Sequence, residues 1–169
     1  WPKPGVDVPP TSGIRPCQQM KNGVFEGEEA ELLGRIWFQS NGAWVALASC
    51  ANGNPRNVCY IQGNDSPEMS GAMAESGWRT TLSPRPDNAL IACTSRDGAW
   101  VAAAASEYST SLCNNSAASH RCIHSQGSMP LRKDGPTTLR ANAYLMRGTL
   151  DGMARRYARD VARWKAIPA

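Results

Sequence analysis

The sequence predicts an α+β fold: a mainly antiparallel β-sheet built from two related hairpin units, followed by a C-terminal amphipathic helix. Residues 36–46 and 91–102 each hold a β-prone run, an Asn-Gly or Asp-Gly dipeptide and an Ala-Trp-Val-Ala continuation. Such a dipeptide between two strand-like runs is the strongest short-range signal of a hairpin, because a type I′ turn needs two residues with positive φ. Six cysteines and a helix-periodic tail are the other observations that predict the architecture.

The register of the first hairpin follows from placing its loop at Asn41-Gly42 and counting outward. Side chains alternate between the two faces of a strand, so each face can be assigned from the sequence. One face is apolar and is predicted to be core: Ile36, Phe38, Val45 and Leu47. The other face carries two tryptophans among polar groups, which suits carbohydrate or peptide recognition. Its candidate binding residues are Arg35, Trp37, Gln39 and Trp44.

The second hairpin, counted from Asp97-Gly98, places Trp100 where the first has Trp44, and Cys93 where the first has Trp37. Small residues surround Trp100, so another layer could approach closely, and we interpret this face as packing surface. One face is predicted to hold Leu90, Ala92, Thr94, Val101 and Ala103. The other face is predicted to hold Ile91, Cys93, Ser95, Trp100, Ala102 and Ala104.

The six cysteines favour three disulfides in an oxidising compartment. None forms a Cys-x-x-Cys pair and the chain has two histidines, so no metal site is predicted. Two pairs, Cys50–Cys59 and Cys113–Cys122, each enclose an Asn-rich loop of eight residues. We therefore predict that each pair closes its own loop, which leaves Cys17–Cys93. The chain, taken as a mature protein without its signal segment, is predicted to be secreted or periplasmic.

The matched hairpins and matched loops indicate an internal duplication, about 33–64 and 89–127, within a disulfide-stapled β domain at 17–130. Before it, the Pro-rich residues 1–16 predict an extended lead-in. Between the two units, Trp78–Leu82 is predicted to be a strand that completes a three-stranded antiparallel meander with the second hairpin. A helical turn is predicted around Pro67–Ala74.

The segment 131–169 is predicted to be helical and to pack on the sheet. Its apolar residues recur at helical spacing from Leu139 to Trp164, which indicates an amphipathic helix. Gly148 weakens the middle, and Thr149 could cap a separate helix over residues 150–165. A strand over residues 138–146 is an alternative to helix there, so the helix is predicted chiefly over residues 150–165.

Charge is distributed unevenly along the chain. The net charge is −2 over residues 1–130 and +6 over residues 131–169, for a total of +4. The basic segment could attract an anionic surface such as lipid headgroups or lipopolysaccharide, although a solvated helix face explains the same pattern. We expect no nucleic acid as a partner.

No motif for catalysis or for a cofactor is present. His120 and His124 are spaced like a helical metal pair, but they straddle a predicted loop disulfide and have no carboxylate near them in sequence. The acidic cluster from Glu26 to Glu31 is interpreted as a solvated turn rather than a pair of catalytic carboxylates. We therefore predict no catalytic, cofactor or metal-binding residues, while a Ser or Thr nucleophile with partners from distant loops stays open.

Two stretches resemble a family. Leu90–Trp100 is similar to the Leu-x-x-Cys-x-Ser-Gly-x-Trp hairpin in the C-terminal segments of type IVb pilus tip adhesins, and Leu33–Trp44 is a second, weaker instance. The Arg96-Asp97 insertion departs from the motif. The resemblance implies recognition of surface glycans or lipopolysaccharide.

The function predicted from the sequence is a bacterial binding protein of the adhesin or surface-recognition type, with a glycan, lipopolysaccharide or protein surface as ligand. Two alternatives stay open. One is an exported enzyme or toxin with a Ser/His/Glu site assembled from loops. The other is a structural or inhibitory subunit that docks through the C-terminal helix.

Overall fold

Two β-sheets and one long helix form three layers in the computed structural model. The structure describes residues 11–21, 23–61, 77–81, 83–117, 120–130, 132 and 135–167. The predicted helical turn at Pro67–Ala74 and residues 1–10 of the predicted lead-in lie outside the described residues. The predicted α+β class with mostly antiparallel sheets and a C-terminal helix is confirmed.

The first sheet, sheet A, has six strands. They are β1 (Thr11–Ile14), β2 (Cys17–Gln19), β5 (Arg56–Tyr60), β6 (Arg79–Thr81), β9 (Ser109–Asn115) and β10 (Cys122–Pro130). Its order is β1-β10-β9-β5-β6, and β2 also pairs with β10. Residues 11–14, which fell in the predicted lead-in, are thus part of a sheet.

The second sheet, sheet B, has five strands in the order β11-β8-β7-β3-β4. They are β3 (Ile36–Ser40), β4 (Ala43–Ala46), β7 (Ile91–Thr94), β8 (Trp100–Ser106) and β11 (Ala141–Arg147). The helices are α1 (Glu29–Gly34), α2 (Ala48–Ala51) and α3 (Leu150–Ala166), with a 3₁₀ turn at Gly23–Phe25. Both predicted hairpins therefore belong to one sheet, side by side.

The predicted loop and register of the first hairpin are confirmed. Asn41 and Gly42 have φ of 51° and 74°, as a type I′ turn requires. Ser40 pairs with Ala43, and Gln39 pairs with Trp44. The predicted apolar face lies in the core between the sheets, where Ile36, Phe38 and Leu47 are buried and Val45 packs against them.

A carboxylate from another loop holds this turn. The Asp87 side chain accepts hydrogen bonds from the backbone N–H groups of Asn41 and Gly42, each at 2.9 Å. Because these bonds are charge-assisted but exposed, we expect Asp87→Ala to lower the free energy of unfolding by about 1 kcal/mol in urea denaturation. Asp87→Asn keeps one acceptor oxygen and should lose less, so equal losses in the two variants would contradict this role.

The second hairpin has the predicted register but a different loop. Thr94 pairs with Val101 and Ala92 with Ala103, as counted from the sequence. The predicted type I′ turn is wrong here, because Gly98 has φ of 70° but Asp97 is not among the residues with positive φ. Asp97 instead accepts hydrogen bonds from Ser95 Oγ and the Ala99 N–H, at 2.5 and 3.0 Å, and these bonds lower the pKa of its carboxyl group.

The two equivalent tryptophans lie on opposite faces of sheet B. Trp100 packs against the core between the sheets, whereas Trp44 packs on the side that faces α3. The sequence placed Trp44 and Trp100 at equivalent positions of the two hairpins. That equivalence is wrong for their surroundings, because the two side chains pack in different layers. The packing role predicted for the Trp100 face is confirmed, since sheet A covers it.

Helix α3 closes the other side of sheet B. Met153 and Tyr144 are buried there against alanines of β7 and β8, and Leu150, Tyr157 and Trp164 pack around them. The predicted start of the helix is confirmed: the Thr149 side chain accepts a hydrogen bond from the Gly152 N–H at 3.2 Å. The segment before the helix forms β11, the strand that the sequence left as an alternative.

The predicted meander is wrong. Strand β6, which lies within Trp78–Leu82, pairs in parallel with β5 in sheet A rather than with the second hairpin in sheet B. Which strand a three-residue strand pairs with depends on the rest of the fold, so the local sequence carries little information about the pairing.

The three predicted disulfides are also absent, since all six cysteines are free thiols. Cys93 is buried in the core between the sheets. Cys17 lies opposite His124 in the register of β2 and β10, on the outer face of sheet A. Sheet A therefore separates Cys17 from Cys93. Cys113 lies opposite His124 and Cys122 opposite Asn115, which places the second pair diagonally across two strands. Cys50, in α2, contacts the Cys59 side chain through a hydrogen bond.

The two cysteine loops therefore differ in structure. Cys50 and Cys59 connect a short helix to a strand, whereas Cys113 and Cys122 lie on adjacent strands. The internal duplication stays a prediction from sequence.

Candidate functional site

The four predicted binding residues on β3 and β4 are all half-buried and are engaged within the protein. Trp44 Nε1 donates a hydrogen bond to Asp151 Oδ1, in the first turn of α3, at 2.9 Å. Its ring packs with the core beneath the helix. Trp44 therefore holds the start of α3 on sheet B.

Arg35 and Gln39 have structural partners as well. The Arg35 guanidinium donates to the carbonyl oxygens of Thr94 and Phe25, at 2.9 and 3.1 Å. Gln39 Oε1 accepts from the Asn88 amide at 2.9 Å. Trp37 Nε1 is buried and has no hydrogen-bond partner in the part of the chain that the structure describes. That these four residues bind a ligand stays a prediction, and the structure does not bring them into one open surface.

A concave site lies beside the C-terminal half of α3. It is a cavity of about 560 Å³ between this helix, the turn from β8 to β9 and residues 88–89. We call it the helix groove. Its volume falls in the range of small-molecule sites, which is roughly 300–1,000 Å³. The side chains that matter below are Ser106, Glu107, Tyr108, Arg140, Tyr157 and Trp164.

Aromatic rings form one side of the helix groove. Tyr157 and Trp164 lie about two turns apart on α3, and their rings meet edge to face with centroids 6.4 Å apart. Burial raises the pKa of Tyr157, partly offset by a hydrogen bond with the backbone of Ala89. Tyr108 lies at the turn, half exposed, with φ of 54°. The groove thus offers both a fixed aromatic wall and an accessible ring.

An ion pair crosses the groove. Arg140 Nη1 donates to both carboxylate oxygens of Glu107, at 3.2 and 3.1 Å, and each side chain is only 16% exposed. Arg140 Nη2 also donates to the carbonyl oxygen of Ile167 at 3.2 Å. The ion pair holds the Arg140 and Glu107 side chains in place in the groove. Through its bond to Ile167, Arg140 also joins the end of α3 to the sheet.

Buried hydroxyl groups adjoin the groove. Ser125 Oγ donates to the Ala89 carbonyl at 2.8 Å and accepts from the Ser106 N–H at 3.0 Å. Ser109 Oγ lies 3.0 Å from Ser125 Oγ. These contacts tie β10 of sheet A to the end of β8 in sheet B, so they hold the groove wall in place.

A second cavity, of about 470 Å³, shares Arg140, Trp164 and Ile167 with the helix groove. Its main carboxylate is Asp160, which is buried and pairs with Arg156 at 3.2 Å and Arg163 at 3.7 Å. Burial raises the pKa of the neighbouring Tyr144 to about 12. The two cavities are therefore neighbours, and Arg140 lines both.

The outward face of α3 is strongly basic. Arg155, Arg159 and Lys165 are exposed, and Arg163 is exposed despite its contact with Asp160. The apolar side of this helix is already packed on sheet B. What α3 offers to a partner is therefore positive charge rather than an apolar stripe.

The enzyme alternative needs a serine, a histidine and a glutamate in one site. Among the described residues, the helix groove does not bring these three types together. It contains Ser106, Ser109 and Glu107, but neither histidine lines it. His120 is exposed in the turn before β10, and His124 lies on the outer face of sheet A.

One set of side chains in the described part of the chain could hold a metal ion: Cys17, Cys122 and His124. Burial raises the pKa of Cys122 to about 12 and lowers the pKa of His124. Sequence reasoning predicted no metal site. Cys17 is more than a hundred residues away from the other two, so spacing along the chain gave no sign that they meet.

Sequence reasoning also missed the helix groove. Tyr157 and Trp164 belong to the predicted apolar stripe, but nothing in the sequence indicates that Arg140 meets Glu107, 33 residues earlier. The one sequence feature that pointed toward a site in this region was the excess of arginine in the C-terminal segment.

No helix in the described residues is both long and apolar enough to cross a membrane. Comparison of the chain with protein-family models, curated proteins and solved structures found no match.

Proposed function

We propose that this protein is a surface-recognition protein that binds an acidic glycan in the helix groove. The observation that carries the proposal is the combination of aromatic rings, a fixed Glu107–Arg140 pair and a basic helix around one cavity of about 560 Å³. Sugars present apolar C–H faces that stack on aromatic rings and hydroxyl groups that need fixed polar partners.

Charge favours an acidic glycan over a neutral one. Arg140 is neutralised by Glu107, but Lys165 at the groove and the exposed arginines of α3 are in excess over the carboxylates nearby. Carboxylate or phosphate groups on the sugar would meet this charge, as in uronate-containing polymers or the phosphorylated core of lipopolysaccharide. A secreted or periplasmic location is part of the proposal, and cell fractionation tests it.

A glycan array with matched acidic and neutral oligosaccharides tests the ligand class. We expect acidic glycans to be retained above neutral ones, and binding to fall as salt is added, because exposed charges are screened. Retention of neutral glycans alone, or of none, would contradict the proposal.

Two variants then test the place of binding by calorimetry with the best glycan of the array. Tyr108→Asn removes the accessible ring but keeps a residue that tolerates positive φ, and should weaken binding about tenfold, or about 1.4 kcal/mol. Lys165→Glu reverses the charge at the groove and should weaken it at least as much. Arg155→Glu makes the same charge reversal outside both cavities and is the matched control. Equal effects of Lys165→Glu and Arg155→Glu would sink the groove as the site.

A further inference from the structure

The outer face of sheet A, remote from the helix groove, carries two thiols and an imidazole on adjacent strands. Cys17 of β2 lies directly opposite His124 of β10. Cys122 precedes His124 by two residues and therefore projects from the same face of the strand. Ile123, between them, points the other way into the core. The sheet register thus brings together residues from two segments that lie more than a hundred positions apart in the sequence.

The distances between the three side chains fit one metal ion. Cys122 Sγ lies 3.0 Å from His124 Nε2, and all three ligand atoms lie within 4.8 Å of one another. Zinc bonds of about 2.3 Å to sulfur and about 2.0–2.1 Å to nitrogen place tetrahedral ligand atoms roughly 3.5–3.8 Å apart. Movements of the side-chain ends by up to about 1 Å bring the three ligand atoms to that geometry.

Burial and charge support an ion at this position. His124 Nε2 faces the Cys122 thiol, whereas Nδ1 is buried and has no hydrogen-bond partner among the described residues. Two thiolates and a neutral imidazole around a divalent cation carry no net charge, which removes the penalty for burying the ion. Cys122 is buried and Cys17 is exposed, which gives the ion a path from solvent.

A third cysteine on this face is engaged elsewhere. Cys113 lies opposite His124 on the other neighbouring strand, β9. Its Sγ accepts a hydrogen bond from Gln126 Nε2 at 2.9 Å. It therefore belongs to the surroundings of the site rather than to its ligands.

We propose that Cys17, Cys122 and His124 bind Zn²⁺. Soft thiolates combined with imidazole select zinc over the hard cations Mg²⁺ and Ca²⁺. The ion joins β2 to β10, so it fastens the N-terminal strands to sheet A. Binding to the folded chain alone then stabilises the protein in proportion to the logarithm of the free zinc concentration.

The test is titration of the full chain, purified with a phosphine reductant, with Zn²⁺ against a chromophoric chelator. We expect one equivalent to bind. Co²⁺ in its place should give the thiolate charge-transfer and tetrahedral d–d bands of a Cys₂His site. Cys17→Ser, Cys122→Ser and His124→Ala should each lower zinc affinity by about a hundredfold or more, since even partners outside the first ligands contribute 10–100-fold.

Two matched variants serve as controls. Cys50→Ser removes a half-buried thiol away from the site, and Cys113→Ser removes the neighbouring one. Both should retain one equivalent of zinc. Because Cys17 is exposed on an edge strand, Cys17→Ser is expected to fold even where the change at buried Cys122 does not.

Three results would overturn the assignment. They are retention of full zinc affinity by Cys17→Ser or His124→Ala, loss of binding in Cys113→Ser, and a Cys17–Cys122 disulfide in protein isolated without reductant. The last result is read by peptide mapping, and it would mean that oxidation rather than a metal joins the two strands.

Discussion

Replacing Met153 with alanine should lower the free energy of unfolding by about 3 kcal/mol. The side chain is fully buried between α3 and the small residues of β7 and β8, so its removal leaves a cavity as well as lost apolar contact. Substitutions of this kind cost about 2–5 kcal/mol. Equilibrium denaturation in guanidinium, followed by circular dichroism, measures the change.

The control for this prediction is Arg155→Ala, two residues further along the same helix and exposed. It should change stability by less than about 0.5 kcal/mol. If Met153→Ala lowers the free energy of unfolding no more than Arg155→Ala does, then α3 is loosely attached to sheet B. In that case the helix groove would lack a fixed wall, and the proposed glycan site would fail with it.

Removing the hydroxyl of Ser125 should also cost about 3 kcal/mol. Its oxygen is completely buried and bonds two backbone groups from other parts of the chain: the carbonyl of Ala89, in the loop before β7, and the N–H of Ser106, in β8. In Ser125→Ala neither group gains a replacement partner, and each unsatisfied buried group costs about 1–3 kcal/mol. The same denaturation experiment measures the loss.

Ser128→Ala makes the same substitution on the same strand at an exposed position. It should leave stability nearly unchanged. If the two variants behave alike, then water replaces the lost hydroxyl and the bond between the sheets is weaker than its geometry implies. A large loss in Ser125→Ala alone supports a rigid connection between sheets A and B beside the groove.

The parts of the fold that were predictable from sequence are those fixed by residues close to one another in the chain. The Asn41-Gly42 turn sets its own backbone geometry and thereby the register of β3 and β4. Thr149 similarly sets the start of α3. In both places the local chemistry and the final fold agree, so counting along the sequence was enough.

The incorrect predictions concern pairs that only the assembled sheets define. Cysteine spacing predicted local loops, but the fold separates Cys93 from Cys17 by a whole sheet and places His124 opposite Cys17 instead. The register predicted from sequence placed Trp44 on the correct face of the hairpin. The sequence could not indicate that α3 would pack on this face and that Asp151 would accept a hydrogen bond from Trp44. The helix groove likewise combines residues from distant parts of the chain.

The pairing of β1 and β2 with β10 has a consequence for the order of folding. These partners are separated by more than a hundred residues, so sheet A cannot be completed until most of the chain has left the ribosome. Closing so long a loop is slow compared with forming the β3–β4 hairpin. The N-terminal strands therefore join the sheet late, and until then the long edge of β10 is open to pairing with another chain.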